Sequence, residues 1–343
     1  MIINCHCHIF SLECVPRAYR KRLFLDLKNP VHKLVYRLLM RFLPPDSNAS
    51  HFLSFAGMSI RDIAEKLVRE MDEAGIETCT PLMMDMKWFP IGNDGSPIPD
   101  GDIMPYEQQI EETEAAAQAI NARYGRRRMI PFVAADARRP DVVEIVKQAL
   151  ERGMCGGVKI YPVMGFKPND PPLHEIYRYC VANDVPVTTH CERGGIPGLG
   201  QSDYDRADPT CWRCVLNEPE LATLKLNLAH NDRTGIPGNW QAEIAAMIRQ
   251  YRNVYTDLSY DCEMWYMPRR YFRNVQSMLR DPKIGERVLY GTDWYMGRYL
   301  WTESSYLEWF TNHARTIPWC RVRFSDEETR RLTEDNPKRF LGL

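Results

Sequence analysis

Two histidines close the first short segment of the chain, and their spacing suits metal binding. The opening residues MIINC have the composition of a β-strand, and His6 and His8 follow them. Side chains along a strand alternate between its two faces, so His6 and His8 project from the same side. Neutral imidazole is the commonest protein ligand of zinc and related divalent ions. The pair alone also fits a tag remnant or structural core histidines, so its meaning depends on the rest of the chain.

Strand-like and helix-like segments alternate along the sequence. Short apolar or β-branched runs predict eight strands, at residues 1–8, 76–84, 129–135, 155–161, 185–190, 224–230, 253–259 and 287–292. Helical patterns separate most of them, at residues 60–73, 107–124, 141–152, 173–183, 240–251 and 268–280. Eight such units predict an α/β fold that closes into a (β/α)8 TIM barrel. The alternative is a doubly wound open sheet, which the first βα turn disfavours because it lacks a glycine-rich dinucleotide motif.

Length and charge narrow the class of protein. The 343 residues fit a single domain over 1–343, with a helical, lid-like insertion at 9–59. Lys and Arg (44) balance Asp and Glu (45), and this balance argues against a nucleic-acid partner. Signal-peptide features and apolar runs of membrane-spanning length are missing, so the prediction is a cytoplasmic protein with a small-molecule substrate and no membrane partner. A homodimer is the assembly considered. The 11 cysteines, including the Cys211-x-x-Cys214 pair, indicate reduced structural thiols rather than a redox motif.

The insertion contains a basic amphipathic stretch at residues 17–43, broken at Asn29-Pro30. Such a segment could lie on a membrane surface. A lid or subunit contact is the favoured interpretation, because the segment leaves the predicted catalytic rim directly after His8 and barrel enzymes commonly cover their sites in this way.

Residues of metal-binding type also end several later strands. The active site of a barrel lies at the C-terminal ends of its strands. His190 ends strand 5, His230 ends strand 6 and Asp293 follows strand 8, while Lys159 lies in strand 4. Together with the first two histidines they predict a metal site on one rim. The remaining histidines fall in predicted helices or loops and are interpreted as structural: His32, His51, His174 and His313.

This set of residues resembles the amidohydrolase superfamily. The closest resemblance is to the amidohydrolase-related branch that contains the aminocarboxymuconate semialdehyde and resorcylate decarboxylases. It is carried by the strand-end residues, with Asp293 in GTDW, and by the segments DPTCWRCVLNEPELATLKLNLAH (208–230), VYTDLS (254–259) and EDNPKRFLGL (334–343). The resemblance spans nearly the whole chain, and only the region 9–59 has no counterpart.

The resemblance implies roles for the candidate residues. His6, His8, His190 and Asp293 would bind a divalent ion, with Zn²⁺ the first expectation and Mn²⁺ the alternative. Such an ion lowers the pKa of a bound water towards about 7. Asp293 is the expected general base, and His230 would polarise the substrate or shuttle a proton.

Lys159 decides whether one or two ions are expected. In binuclear amidohydrolases a strand-4 lysine is carboxylated and bridges two ions, with the strand-5 and strand-6 histidines on the second ion. The sequence Lys159-Ile160-Tyr161-Pro162 resembles the dihydroorotase version of that strand, whereas the decarboxylase branch has no bridge. We expect a site able to hold two ions, with Lys159 and His230 among the ligands, so that one or two ions would be bound. The alternative is a Lys159 ammonium paired with Asp136 or Asp293.

The predicted function is a metal-dependent hydrolase acting on an amide, lactone or ester of a small carboxylated molecule. A metal-dependent nonoxidative decarboxylase is the alternative, and a binding protein without catalysis is disfavoured because every ligand-type residue is retained. Substrate contacts are expected from Tyr161, Trp294 and Arg193. Arg193 would clamp a carboxylate, and a surface salt bridge is the alternative for it. Weaker candidates at the same rim are Lys87, Trp88, Asp136, Arg138, Glu192 and Arg298.

Overall fold

Eight short parallel strands form the centre of the molecule. The computed structural model describes residues 1–44, 47–91, 95–232, 240–261, 263–311 and 322–343. The strands are β1 (Ile2–Cys7), β2 (Ile76–Pro81), β3 (Phe132–Ala135), β4 (Gly157–Ile160), β5 (Val187–His190), β6 (Leu226–Ala229), β7 (Val254–Asp257) and β8 (Val288–Leu289). Each predicted run contains one of them, so the predicted order of strands is confirmed.

Helices follow the strands as the sequence pattern predicts. The described α-helices are α1 (Arg17–Arg22), α2 (Pro30–Phe42), α3 (Asn48–Ser54), α4 (Ile60–Ala74), α5 (Tyr106–Tyr124), α6 (Val142–Glu151), α7 (Pro171–Ala182), α8 (Gln201–Tyr204), α9 (Cys211–Leu216), α10 (Gln241–Gln250), α11 (Glu263–Tyr266), α12 (Pro268–Arg280), α13 (Glu303–Thr311), α14 (Asp326–Arg330) and α15 (Asn336–Leu341). Helix α4 begins at a capping box formed by Ser59 and Asp62, the sequence signal expected at a helix start. No described helix is long and apolar enough to cross a bilayer.

Backbone hydrogen bonds connect the strands around the barrel. Strands β3 to β8 pair in sequence order, and β1 pairs with β2. Between β2 and β3, the Cys79 amide donates to the Arg128 carbonyl (2.9 Å). Between β8 and β1, the Cys5 amide donates to the Tyr290 carbonyl (2.8 Å). The chain is therefore a (β/α)8 TIM barrel, and its parallel strands present all their C-terminal ends at one rim.

A second group of apolar side chains packs within the barrel. A buried cluster there contains Phe132, Tyr255 and Phe340, with Ile3, Cys5, Leu82 and Leu289. The Phe340 ring comes from the C-terminal helix α15 and lies 5.1 Å from the Tyr255 ring. Helix α15 thus packs against the interior of the barrel through Phe340.

Strands β7 and β8 are shorter than the strands predicted from the sequence. Hydrogen bonds at the C-terminal rim end both of them early. The predicted strand 253–259 ends at Asp257, whose Oδ1 accepts a hydrogen bond from the Ser259 amide (3.1 Å). The predicted strand 287–292 ends at Leu289. Beyond it, the amides of Thr292 (3.2 Å) and Asp293 (2.9 Å) both donate to the His6 carbonyl, so the regular ladder cannot continue.

The insertion after β1 is helical, as predicted, and it lies against the C-terminal rim. It contributes α1, α2 and α3. The Tyr19 hydroxyl donates to the Pro197 carbonyl in the loop after β5 (2.9 Å). The Asn48 side chain donates to the Leu300 carbonyl beyond β8 (3.1 Å). These bonds fix the insertion to the loops that surround the candidate site.

Replacement of Gly157 by Ala tests the register of β3 and β4. Gly157 pairs with Phe132, and an added Cβ would lie 2.4 Å from the Phe132 ring. We expect Gly157→Ala to lower the free energy of unfolding by about 1–3 kcal/mol, the usual cost of overpacking a buried site. Chemical denaturation followed by circular dichroism measures it. Gly57→Ala is the matched control, because its Cβ would meet its nearest neighbour at 3.8 Å. Equal midpoints for the two variants would contradict the packing described.

Candidate metal centre

His6 and His8 each have one ring nitrogen fixed by a protein acceptor. His8 Nδ1 lies 2.8 Å from the Leu82 carbonyl oxygen. A carbonyl oxygen only accepts, so Nδ1 donates and Nε2 of the neutral ring carries a lone pair. His6 Nδ1 lies 3.0 Å from Asp257 Oδ2, and the same reasoning leaves a lone pair on His6 Nε2. Both free nitrogens are thus in the form that binds a metal.

The Asp293 carboxylate meets these two lone pairs. Asp293 Oδ1 lies 3.1 Å from His8 Nε2 and 3.5 Å from His6 Nε2. His6 Nε2 and Asp293 Oδ1 are buried, and neither has a hydrogen-bond partner among the described residues. Three electron-pair donors that converge without a proton between them require a cation. His6, His8 and Asp293 therefore fit a divalent metal ion.

Burial and nearby charges keep the candidate ligands in their metal-binding forms. Burial lowers the pKa of His6, and the charge of Asp257 only partly opposes this. Burial raises the pKa of Asp293, but His8, His6 and His230 outweigh it and hold that pKa below its ordinary value. Neutral imidazoles and an ionised carboxylate are the protonation states that coordinate a metal.

Asp257, at the end of β7, holds much of the site together. Its Oδ2 accepts from Asn227 Nδ2 (2.7 Å), and its Oδ1 accepts from the His230 amide (3.0 Å) and the Ser259 hydroxyl (2.5 Å). These bonds add to the contact with His6. Asp257 was not among the predicted site residues, because the run predicted as strand 7 extends to Ser259 and includes it. Its place at the end of β7, the usual position of a site residue in a barrel, is evident only in the structure.

His190 and His230 form a second, adjoining group. With Glu192 they offer three ligand atoms within 4.8 Å of one another. His190 Nε2 lies 3.0 Å from the Gly194 carbonyl oxygen, and His230 Nδ1 lies 3.2 Å from the Ser259 carbonyl oxygen. The opposite nitrogen of each ring therefore carries a lone pair. From the sequence, His190 is expected with His6, His8 and Asp293 if one ion is bound, and with His230 on the second ion if two are bound. The structure groups it with His230.

The second group joins the first through adjacent rings. The His230 ring lies 4.7 Å from the His6 ring and 4.8 Å from the His190 ring. Burial lowers the pKa of His230 to about 3 and that of His190 well below its usual range. Neutral rings in this arrangement can ligate a metal or accept a proton.

Lys159 lies at the bottom of the same site. Burial lowers its pKa to about 8, while the charges of Asp257 and Asp293 raise it. Of the two partners considered from the sequence, Asp136 is occupied by Arg138 (2.6 Å), whereas Asp293 lies close enough for its charge to act on Lys159. Lys159 therefore lies beside the candidate ligands, with an amine that deprotonates more readily than that of an exposed lysine.

The chain segments that end β6 and β8 have an unusual backbone at two candidate residues. His230 (φ 72°) and Asp293 (φ 54°) lie in the left-handed region, which non-glycine residues rarely adopt. Such conformations persist where surrounding contacts impose them, and they cluster at functional sites. At Asp293, the amide bond to the His6 carbonyl (2.9 Å) is one of those contacts.

A buried polar network joins β1 to the end of β8. Asn4 Nδ2 donates to Thr292 Oγ1 (2.7 Å), and this hydroxyl donates to Glu303 Oε1 (2.6 Å). Asn4 Oδ1 accepts from the His6 amide (3.1 Å). Burial raises the pKa of Glu303 to about 8. The network fixes the neighbours of His6 and Asp293 and so positions both ligands.

A cavity of about 270 Å³ opens above these residues. The candidate ligands His6, His8, Lys159, His190, His230 and Asp293 all line it. Its walls are mostly apolar and come in large part from the insertion, with Phe10, Leu12, Val15, Tyr19, Leu23, Leu25 and Phe52. The cavity therefore combines a polar floor with hydrophobic walls, the usual composition of a small-molecule site.

The predicted substrate-binding residues separate into two groups. Tyr161 lines the cavity, and its ring lies 4.7 Å from the His190 ring. The absence of a side chain at Gly195 leaves room for the Tyr161 hydroxyl, because a Cβ on Gly195 would lie only 2.8 Å from it. Trp294 and Arg193 do not line the cavity. Trp294 Nε1 donates to Glu70 (3.1 Å), and the Arg193 guanidinium lies over the Trp240 ring at 4.9 Å.

Most of the weaker rim candidates also point away from the cavity. Arg298 Nε donates to Glu70 (2.9 Å), and Lys87 pairs with Asp100 (2.6 Å). Glu192 does line the cavity. The direction in which a loop side chain points depends on its tertiary contacts, which the sequence alone does not reveal. Among the histidines interpreted as structural, His32, His51 and His174 do not line the cavity, and His313 lies outside the described residues.

Comparison with known structures identifies the fold. An amidohydrolase II crystal structure is 14% identical, covers 100% of both chains and has a TM-score of 0.54. Amidohydrolase 2 from Bifidobacterium longum subsp. infantis is 14% identical over 99% of this chain and 98% of its own, with a TM-score of 0.50. An amidohydrolase from Burkholderia multivorans, with bound zinc, is 14% identical over 81% and 88%, with a TM-score of 0.52. No curated protein matches the chain.

The family is established by the sequence itself. The amidohydrolase family profile matches residues 3–343, nearly the whole length of the chain. This match agrees with the barrel, with the histidines and aspartate on its C-terminal rim, and with the resemblance carried by the strand-end motifs. The chain belongs to the amidohydrolase family.

Proposed function

We propose that the protein is a metal-dependent hydrolase that cleaves an amide, lactone or ester bond in a small molecule whose body is largely apolar. The observation that carries the proposal is the convergence of His6 Nε2, His8 Nε2 and Asp293 Oδ1 at the floor of the cavity. These atoms are buried lone-pair donors that need a cation. Membership of the amidohydrolase family supports hydrolysis as the reaction class.

The proposed centre has one defined ion position and room for a second. His6, His8 and Asp293 would hold the first ion, and His190 with His230 would hold the second. Lys159 would bridge the two as a carbamate, formed when its neutral amine adds to CO₂ and releases a proton. The lowered pKa of Lys159 increases the fraction of that amine at neutral pH. Zn²⁺ suits this nitrogen-rich donor set, and Mn²⁺ is the alternative.

The residues on the rim would have different roles in the chemical step. A bound divalent ion supplies Lewis acidity and lowers the pKa of water. The Asp293 carboxylate takes the proton of the attacking water and returns it to the leaving oxygen or nitrogen as the bond to the carbonyl carbon breaks. His230 presents a lone pair to the cavity because its Nδ1 faces the Ser259 carbonyl. This favours a ligand or proton-acceptor role for His230 over the hydrogen-bond donor that would polarise a carbonyl.

The lining of the cavity shapes the proposed substrate. The prediction from the sequence was a substrate with a free carboxylate bound by Arg193. Among the described residues no arginine lines the cavity, and its one lysine, Lys159, would be an anionic carbamate in the proposed centre. Phenylalanine, leucine, methionine and tyrosine side chains form the walls. The proposed substrate is therefore an ester, amide or lactone with an aliphatic or aromatic body, and a free carboxylate is not required.

The same observations favour hydrolysis over decarboxylation. The decarboxylase alternative needs a group that binds the departing carboxylate, and the two rim arginines, Arg193 and Arg298, contact Trp240 and Glu70 instead. The placement of His190 beside His230 also favours a second ion. Hydrolysis is thus the proposed activity.

Substitution of either N-terminal histidine tests the metal centre. We expect His6→Ala and His8→Ala to lose the tightly bound divalent ion, because each removes one of three converging donors. Elemental analysis of purified protein measures the metal, and circular dichroism monitors the fold. The matched control is His174→Ala, whose ring pairs with Glu218 outside the cavity. Stoichiometric metal in the folded His6→Ala protein would contradict the assignment.

Asp293→Asn tests the proposed base. Asn keeps the size and one oxygen but cannot take a proton, so we expect kcat to fall by about 10²–10⁴-fold, the usual contribution of a general base. The assay follows hydrolysis of aromatic and aliphatic esters, lactones and anilides by wild type and variant. Metal content measured on the same samples separates loss of the base from loss of the ion. If the metal-loaded variant turns over a wild-type substrate at an undiminished rate, Asp293 is not the base.

A further inference from the structure

Exposed hydrophobic side chains are concentrated in one part of the insertion. Of the thirteen large hydrophobic residues that are exposed among those described, seven lie between residues 23 and 42: Leu23, Phe24, Val31, Leu34, Leu38, Leu39 and Phe42. Scattered exposed hydrophobics are ordinary in proteins, but a contiguous patch marks an interaction surface. This segment therefore needs a separate explanation.

Helix α2 places the apolar residues together on one side. Val31, Leu34, Leu38 and Phe42 follow one another at spacings of three and four, which align side chains along one helix face. They are between 46% and 79% exposed. The other side of the helix faces the protein, because His32 is buried and Val35, Tyr36 and Met40 are half-buried. Its apolar face is thus held outward.

The same helix carries a cationic stripe next to this face. Lys33, Arg37 and Arg41 follow one another at spacings of four, and all three are exposed. Between Arg17 and Arg41 the sequence has eight basic residues and one acidic residue, in a chain whose formal net charge is −1. The ion pairs of this segment use Arg17 and Lys28. Positive charge is therefore concentrated beside the exposed apolar face.

This surface continues to the entrance of the cavity. Leu23 is exposed and also lines the cavity. Met296 is likewise exposed and lines the cavity. The exposed Tyr299 packs against Phe52 of the cavity wall, with ring centres 5.7 Å apart. The apolar surface and the walls of the cavity thus meet at the entrance.

We propose that this surface, formed by Leu23, Phe24 and the outward side of α2, docks on an anionic lipid bilayer. An apolar helix face bordered by cations matches the boundary between acyl chains and negatively charged headgroups. The protein would lie on the bilayer without crossing it. This differs from the prediction made from the sequence, which included no membrane partner. The docking does not depend on the reaction at the metal centre.

A second copy of the chain fits this surface less well. A symmetric dimer interface brings the same patch of both subunits together. The basic segments of the two copies would then face each other, and like charges in contact oppose association. An anionic surface instead neutralises these charges while the apolar face is buried.

Vesicle binding by the full-length protein tests the proposal. The probe is a set of phosphatidylcholine vesicles prepared with and without phosphatidylserine, and the readout is co-sedimentation. We expect strong binding to the anionic vesicles, weak binding to the neutral ones, and loss of binding as salt screens the charges. Absence of binding to the anionic vesicles would overturn the proposal, as would equal binding to both kinds.

Two sets of exposed substitutions separate the cationic and apolar contributions. Combined Lys33→Gln, Arg37→Gln and Arg41→Gln should lower the partition coefficient on anionic vesicles by about 100-fold, since each cation near such a surface strengthens binding several-fold. Combined Leu34→Gln, Leu38→Gln and Phe42→Gln should also abolish most binding while leaving the charge unchanged. Unaltered binding by either triple variant would overturn the proposal.

A matched control and a second measurement complete the test. The control replaces Arg126, Arg127 and Lys283 by Gln. They are exposed and precede β3 and β8, at the opposite end of the barrel, and we expect wild-type vesicle binding. Light scattering after size exclusion measures the oligomeric state. A dimer that the apolar triple variant converts to a monomer, together with no vesicle binding, would assign the surface to a second copy and overturn the lipid proposal.

Discussion

The buried carboxylate of Asp257 is the interaction on which the candidate centre depends. It accepts five hydrogen bonds, from the His6 ring, the Asn227 amide, the backbone amides of His230 and Ser259, and the Ser259 hydroxyl. Burial raises the pKa of Asp257, but His6, His230 and Ser259 outweigh it and hold this pKa well below its usual range. A permanently ionised acceptor fixes the His6 ring with its lone pair directed at Asp293. Asp257 also fixes the backbone of His230 at the end of β6, because it accepts the hydrogen bond of the His230 amide.

The site residues that could be predicted from the sequence are those whose positions follow from regular secondary structure. Alternation along a strand placed His6 and His8 on one face, and the barrel rule placed His190, His230 and Asp293 on one rim. Asp257 was missed because the apolar run around it extends to Ser259, so that it looked like the interior of a longer strand. Its side chain, by bonding the Ser259 amide, is what ends that strand.

Loop residues were predicted less well, for a physical reason. Arg193 lies two residues before Gly195, and the loop turns so that the glycine approaches the His190 ring and the arginine reaches Trp240. Trp294 is adjacent to Asp293, yet its indole is held by Glu70 of helix α4. These directions follow from partners distant in sequence, which neither spacing nor composition reveals.

The insertion builds part of the cavity and part of the outer surface. It has no recognised counterpart in the sequence resemblance, but it supplies a large share of the cavity walls and is bonded to the loops after β5 and β8. The same segment exposes a basic, apolar surface to the outside. One insertion therefore both encloses the polar floor of the barrel and provides the surface that we propose contacts lipid.

Anomalous diffraction from crystals grown with zinc, collected at the zinc absorption edge, tests the central claim most directly. The account predicts a strong peak in contact with His6 Nε2, His8 Nε2 and a carboxylate oxygen of Asp293. The hypothesis of a second ion adds a peak beside His190 and His230. Zinc bound only elsewhere, for example at Cys211 and Cys214, with none between His6, His8 and Asp293, would contradict the claim that these residues form a metal centre.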